Sequence, residues 1–89
     1  MSRIEKIIKN EPVVDVLTAF GIGLAYPSLD RMIGRYKFEL IANGELLKIY
    51  TQLFEDGVLA NGDGPVPIKG PNWKAPKFLT EDKYSEKGN

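Results

Sequence analysis

The residues that could support catalysis in this sequence lack the partners that catalysis needs. The chain contains no histidine and no cysteine, which removes the commonest general base near neutral pH and excludes thiolate chemistry. Glu55 and Asp56 are adjacent carboxylates. Neighbouring helical positions point about 100° apart, so we interpret this pair as a helix end before Gly57. The serines have no histidine to activate them, and the glycines at 21 and 23 lack the rest of a phosphate-binding loop. We therefore predict a protein that is not an enzyme and that has no catalytic residues, cofactor or metal.

One aromatic residue stands out as a candidate for binding. Trp73, the only tryptophan, lies between Asn72 and Lys74 within the segment 61–76, which is rich in proline and glycine. A large aromatic side chain on a loop stiffened by prolines is a favoured anchor for a partner, because little entropy is lost when it binds. The alternative is that the indole folds back and caps the hydrophobic core. The sequence leaves both placements open.

The overall composition indicates one small domain spanning residues 1–89. The chain is 43% hydrophobic, which suits a packed core rather than a disordered chain. Twelve basic and twelve acidic residues cancel, whereas a dedicated nucleic-acid binder usually carries a basic excess. Charges interrupt the apolar residues near the N-terminus, and no apolar run approaches the roughly 20 residues that span a bilayer. We expect a soluble, cytoplasmic protein.

The first half of the chain has mainly helical periodicity. Apolar residues at i, i+3 and i+4 spacing predict helices over Ser2–Asn10 and Val13–Phe20. Ser28 is predicted to cap a third helix that runs to about Arg35. Charged and apolar residues then alternate from Lys37 to Ala42, and this alternation predicts a short strand.

The second half is predicted to contain one long helix and a pair of strands. Asn43 is expected to cap a helix that ends at Asp56, with Gly57 as its stop. A short strand is predicted at 58–60 and a second at Lys77–Thr80, joined by the loop 61–76. The polar tail at 81–89 is predicted to be a short helix or a frayed end.

From Val13 to Thr80 this order of elements resembles a winged-helix domain. The most characteristic piece is LFEDGVL at 53–59, where a helix stops at a glycine and a strand follows. The resemblance implies an α+β, mainly helical fold with three to four helices and a small antiparallel β-wing. It also implies that the helix at 43–56 corresponds to the recognition helix of DNA-binding members, which enters the major groove.

One function that this resemblance implies is DNA binding by a small regulator of phage or plasmid type. The polar residues on the helix would face base edges, and the lysines in and after the loop would contact phosphates. We expect such a protein to act as a dimer. The candidate residues are Lys48, Thr51 and Gln52 on the helix, with Lys69, Lys74 and Lys77 in and after the loop.

The charge pattern favours a second function, which is binding to another protein as a monomer or homodimer. The net charge is zero, and Glu45 and Glu55 stand at the two ends of the predicted recognition helix. In size and lack of catalytic groups the chain resembles bacterial immunity proteins, which bind and block a cognate toxin that is often a nuclease. This resemblance implies that acidic residues cover a basic cleft on the toxin while Trp73 and its neighbours supply apolar contact. The candidate partner-binding residues are Glu45, Glu55, Asp56, Asp63, Asn72, Trp73 and Lys74.

Overall fold

The computed structural model describes residues 3–84, which form six helices and one two-stranded antiparallel sheet. This confirms the prediction of a mainly helical chain with a small antiparallel sheet. The elements in chain order are α1 (Arg3–Asn10), α2 (Val13–Phe20), α3 (Tyr26–Gly34), α4 (Phe38–Ala42), α5 (Glu45–Glu55), β1 (Leu59–Asn61), β2 (Pro67–Lys69) and α6 (Lys77–Thr80).

The core joins the apolar sides of five helices to the first strand. Its buried members form one cluster, and Leu17, Leu29 and Leu46 are fully inaccessible to solvent. Burying side chains of this size contributes roughly 1.5–3 kcal/mol each, before the entropy of ordering them is subtracted. The complete set is Ile7, Ile8, Val16, Leu17, Leu29, Ile33, Leu46, Leu53, Leu59 and Phe78.

The boundary between α1 and α2 is fixed by proline and by a buried carboxylate. Pro12 precedes α2 with φ −57° and an extended ψ of 142°. Proline lacks a backbone N–H, so it is tolerated at the start of a helix but not in its interior. Glu11 is buried, and its carboxylate accepts hydrogen bonds from Lys83 at 2.8 Å and from Tyr84 at 2.5 Å. The bond from Lys83, followed by the bond from Tyr84, lowers the pKa of Glu11 below its ordinary value of 4.5. Glu11 therefore ties the chain after α6 to the start of α2.

The base of the β-hairpin is joined to the end of α5 through two glycines. Gly57 has φ +77°, a left-handed conformation that glycine adopts without steric cost. Gly70 packs against it so closely that a Cβ atom would lie 2.1 Å from the Gly57 carbonyl oxygen. The Gly70 amide donates to the Val58 carbonyl at 2.9 Å, and the Asn72 amide donates to the Gly57 carbonyl at 2.8 Å. These contacts fix where the hairpin leaves the helical part.

The strand predicted from Lys37 to Ala42 is wrong, because residues 38–42 form α4. In a helix Leu40 and Ile41 both turn inward and are half-buried, whereas an alternating strand would send them to opposite faces. Gly34 leaves room for this packing, since Ile41 Cδ1 lies 2.5 Å from the position that a Cβ would take. Tertiary packing against α3 thus overrides the local alternation.

The second predicted strand, Lys77–Thr80, is also wrong, because these residues form α6. Pro76 precedes the helix with φ −61°, and Phe78 is buried in the core. The returning strand of the hairpin is instead Pro67–Lys69, inside the segment predicted to be a loop. Its register pairs Leu59 with Lys69, Ala60 with Ile68 and Asn61 with Pro67.

Two predicted helix caps are displaced. α3 begins at Tyr26 with Ala25 as its N-cap, so Ser28 lies inside the first turn rather than before it, and Pro27 occupies the early position that proline favours. α5 begins at Glu45 after Gly44, which has φ +72°. The predicted cap Asn43 instead ends α4.

The predicted helices at 2–10 and 13–20 correspond to α1 and α2 over the described residues. Residues 81–84 form a turn after α6. The rest of the predicted tail, 85–89, lies outside the described residues.

Candidate partner-binding surface

Trp73 lies against the core rather than on an exposed loop tip. Its side chain is partly buried and packs on the hydrophobic cluster. The indole Nε1 donates a hydrogen bond of 2.9 Å to the Thr18 carbonyl in the last turn of α2. The Lys69 ammonium lies 4.3 Å from the centre of the ring, a distance at which a cation is attracted to the face of an indole. Of the two placements that the sequence left open, the structure has the one in which the indole folds back.

Asn72 also has a role within the fold. Its Nδ2 donates a hydrogen bond of 2.8 Å to the Asp56 carbonyl, which is one of the carbonyls left unpaired at the end of a helix. Lys74 follows Trp73 and is exposed, while Asp63 is exposed in the turn between β1 and β2. Of the loop residues predicted to bind a partner, Trp73 and Asn72 make hydrogen bonds within the fold, and Asn72, Lys74 and Asp63 are exposed to solvent.

The solvent-facing side of α5 presents a continuous surface, here called the α5 face. It contains a shallow depression of about 360 Å³ lined by Gly44, Leu47, Lys48, Thr51, Gln52 and Glu55. These positions repeat every three or four residues, so the helix places them on one side. The predicted DNA-reading residues Lys48, Thr51 and Gln52 are thus brought together, and Glu55 lies among them.

The carboxylates in the stretch of chain from residue 38 to residue 64 are exposed, and none of them forms an ion pair within residues 3–84. Glu45, Glu55, Asp56 and Asp63 are exposed, and so is Glu39 on α4. The two ion pairs among the described residues involve other carboxylates, those of Glu5 and Glu11. Gln52 donates a hydrogen bond of 2.9 Å to the Asp56 carboxylate, which leaves the charge of that carboxylate in place.

Two exposed apolar side chains lie in the same stretch of chain. Leu47 on α5 is 54% exposed and Phe38 at the start of α4 is 69% exposed. Neither residue was predicted from the sequence to lie at a binding surface. A signal for Leu47 was available, because adjacent Leu46 and Leu47 cannot both face the core of a helix whose apolar positions repeat every three to four residues. The exposure of Phe38 was not predicted, because the residue was assigned to a strand.

The lysines predicted to contact phosphate lie on three different segments of the chain. Only Lys69 lies on a hairpin strand, and its ammonium is over the Trp73 ring. Lys74 is in the following loop, and Lys77 begins α6. The predicted phosphate contacts therefore come from three separate elements.

Comparisons with known proteins find no relative of this chain: no protein-family model, no curated protein and no solved structure matches it. Among the described residues, no group of three or more metal-ligating side chains is placed to hold a metal ion. None of the helices in residues 3–84 has the length and apolar character needed to cross a membrane.

Proposed function

We propose that this protein is a non-catalytic binding module of the immunity type, which acts in the cytoplasm by covering a basic cleft on a partner protein such as a nuclease toxin. We also propose that its helices and hairpin are a variant of the winged-helix arrangement, with α5 in the position of the recognition helix. In this proposal α5 contacts a protein instead of DNA.

The observation that carries the proposal is the concentration of exposed acidic residues in α5 and in the chain on either side of it. Between residues 38 and 64 there is one cation, Lys48. The acidic residues of that stretch are all exposed: Glu39, Glu45, Glu55, Asp56 and Asp63. The chain is neutral as a whole, so this region is acidic against a balanced background. Such a surface attracts a cationic partner and repels the phosphates of DNA.

The exposed apolar residues supply the second requirement of a protein interface. Carboxylates at the rim of an interface mainly steer association, whereas buried apolar anchors hold the complex together. Leu47 lies on the α5 face and is more than half exposed. A leucine at the centre of a DNA-reading face would meet polar base edges, with only the thymine methyl group as an apolar contact.

A capture experiment tests this proposal. The tagged protein is used as bait in nuclease-treated host lysate, beside a variant in which Glu45→Lys and Glu55→Lys are combined. A Glu81→Lys variant is the control, because Glu81 is exposed and lies beyond α6. We expect the native protein and the control to retain one stoichiometric basic protein that the double variant loses. Co-expression with that protein, if it is toxic, should restore growth.

Retention of DNA instead of a protein would identify the alternative, a DNA-binding regulator that uses Lys48, Thr51 and Gln52. This alternative is favoured by one observation, namely that the three side chains share the exposed α5 face. For a DNA binder, reversing two acidic charges should strengthen retention of DNA, because each added cation neutralises phosphate. Nuclease-sensitive retention that increases in the double variant would therefore replace the protein-binding proposal.

A further inference from the structure

A second surface depression lies between α1 and α3, and its lining combines cations with an apolar floor. This groove has a volume of about 350 Å³ and is lined by Ile4, Ser28, Arg31, Met32, Arg35 and Tyr36. The volume lies near the lower end of the range of about 300–1,000 Å³ found for small-molecule sites. None of the lining residues belongs to the α5 face.

The positions of the polar residues follow from helix geometry. Ser28 and Arg31 lie on α3, and Arg35 follows the helix directly with helical backbone angles (φ −62°, ψ −31°). Their separation by three and four residues therefore places them along one side. Because the Cβ atoms of residues four apart on a helix lie about 5–6 Å from each other, the two guanidinium groups can bracket a single anion. The Ser28 hydroxyl, one turn earlier, adds a further donor.

Both guanidinium groups are available to a ligand. The ion pairs within residues 3–84 join Lys9 to Glu5 and Lys83 to Glu11, and neither involves Arg31 or Arg35. Both arginines are exposed, and no acidic side chain lines the groove. The neighbouring Lys9 ammonium lies 5.7 Å from the centre of the Tyr36 ring, but it is paired with the Glu5 carboxylate at 2.9 Å and so adds no uncompensated charge to the groove.

The apolar lining limits which anions fit. Ile4 is 42% exposed, and with Met32 and the Tyr36 ring it forms a surface that a bare inorganic ion would leave uncovered. Two guanidinium groups match a dianionic phosphate better than a single carboxylate, because each guanidinium donates a pair of parallel hydrogen bonds. The Tyr36 ring and the Met32 thioether favour contact with a flat aromatic body.

We propose that the α1–α3 groove binds a small aromatic phosphomonoester, such as a nucleoside monophosphate. Arg31, Arg35 and Ser28 hold the phosphate, and Ile4, Met32 and Tyr36 contact the aromatic part. This site is separate from the α5 face, so the two proposals are tested independently. A groove that bound no phosphomonoester would leave the protein-binding proposal standing, and an α5 face that bound no protein would leave the groove proposal standing.

Amide NMR titrations of the intact protein test the proposal with four probes: adenosine monophosphate, phenyl phosphate, adenosine and inorganic phosphate. We expect the two phosphomonoesters to give saturable shifts confined to the groove. Adenosine lacks the phosphate and inorganic phosphate lacks the aromatic body, so each should bind at least about tenfold more weakly. Failure of both phosphomonoesters to saturate, or equally tight binding of inorganic phosphate, would overturn the proposal.

Two double variants with the same change in net charge test whether Arg31 and Arg35 hold the phosphate. Combining Arg31→Gln with Arg35→Gln should weaken binding of adenosine monophosphate by about tenfold or more, because it removes charge-assisted hydrogen bonds. Combining Arg3→Gln with Lys6→Gln makes the same change in net charge at exposed positions outside the groove, and it should leave the affinity nearly unchanged. Equal losses in the two double variants would mean that the protein attracts phosphate only through its general charge. All four substituted side chains are exposed, so both double variants should keep the native circular dichroism spectrum.

Discussion

The indole of Trp73 donates its Nε1 hydrogen to the carbonyl of Thr18, and this bond of 2.9 Å joins residues 55 positions apart in the sequence. Thr18 is itself buried, and its hydroxyl donates to the Val14 carbonyl at 2.8 Å. The loop after the hairpin is thereby attached to the last turn of α2. Because β1 and α6 contribute Leu59 and Phe78 to the core on either side of this loop, the bond helps to hold both elements in place.

Trp73→Phe should distinguish the contribution of the indole hydrogen bond to stability from the contribution of ring packing. Phenylalanine keeps a ring on the core but leaves the Thr18 carbonyl without its donor, so we expect a loss of about 1–2 kcal/mol in the free energy of unfolding. Trp73→Ala should cost more, about 2–3 kcal/mol, which is below the usual value for a fully buried tryptophan because this side chain is only partly buried. Urea unfolding followed by circular dichroism measures both. An alanine variant of native stability that had lost its partner would instead make the indole an interface residue.

Glu11→Gln should reduce stability at neutral pH and flatten its dependence on acid. The native pKa of Glu11 is lowered from 4.5 by the bonds from Lys83 and Tyr84. A lowered native pKa contributes stability that is complete above the unfolded value and is lost as pH falls through the native one. The stabilisation should therefore be present above about pH 4.5 and disappear below it.

Thermal melts between about pH 3 and pH 7 measure this contribution. We expect Glu11→Gln to cost about 1–2 kcal/mol at neutral pH, since Lys83 is largely exposed while the carboxylate is buried. Glu81→Gln, a change at an exposed carboxylate, is the matched control. If both variants lost stability with acid as steeply as the native protein, Glu11 would not be the responsible group.

Gly70→Ala should be among the most disruptive small changes in the hairpin. The added methyl would lie 2.1 Å from the Gly57 carbonyl oxygen, and backbone atoms cannot move aside as the end of a side chain can. We expect a cost of about 2–3 kcal/mol, by analogy with overpacked cores. Gly64→Ala is the control, because nothing lies within 4 Å of the corresponding position. Equal stabilities of the two variants in urea unfolding would show that the hairpin base moves freely.

Local sequence signals predicted the parts of the fold that depend on local chemistry. The spacing of Ile7 and Ile8 and the glycine at position 57 gave α1 and the end of α5, because periodicity and left-handed stops are encoded over a few residues. The errors at α4 and α6 have a different origin. Whether Ile41 packs inward depends on Gly34, and whether Phe78 enters the core depends on elements far away in sequence, so neither outcome can be read from a short window.

The candidate sites also differ in whether they depend on local sequence or on tertiary packing. The sequence pattern was sufficient to group Lys48, Thr51 and Gln52 on one side of a helix, and the acidic residues before, within and after that helix were visible as composition. The α1–α3 groove could not be predicted in that way. Its guanidinium groups come from α3 and the residue directly after it, whereas part of its apolar lining comes from Ile4 on α1. Only the packed structure brings the two helices together.

Leu46 and Leu47 are adjacent leucines whose substitution should have opposite consequences. Leu46 is fully buried whereas Leu47 is 54% exposed. Leu46→Ala should therefore destabilise the protein by about 2–5 kcal/mol, the range for a cavity in a core. Leu47→Ala should change stability by less than about 1 kcal/mol but weaken capture of the partner by about tenfold, as expected for an apolar anchor. Urea unfolding and a binding titration with the captured protein measure the two effects separately. The contradicting outcomes also differ between the two variants. If Leu47→Ala bound the partner as tightly as the native protein, the α5 face would not be the centre of the interface. If Leu46→Ala were as stable as the native protein, the side of α5 assigned to the core would be wrong.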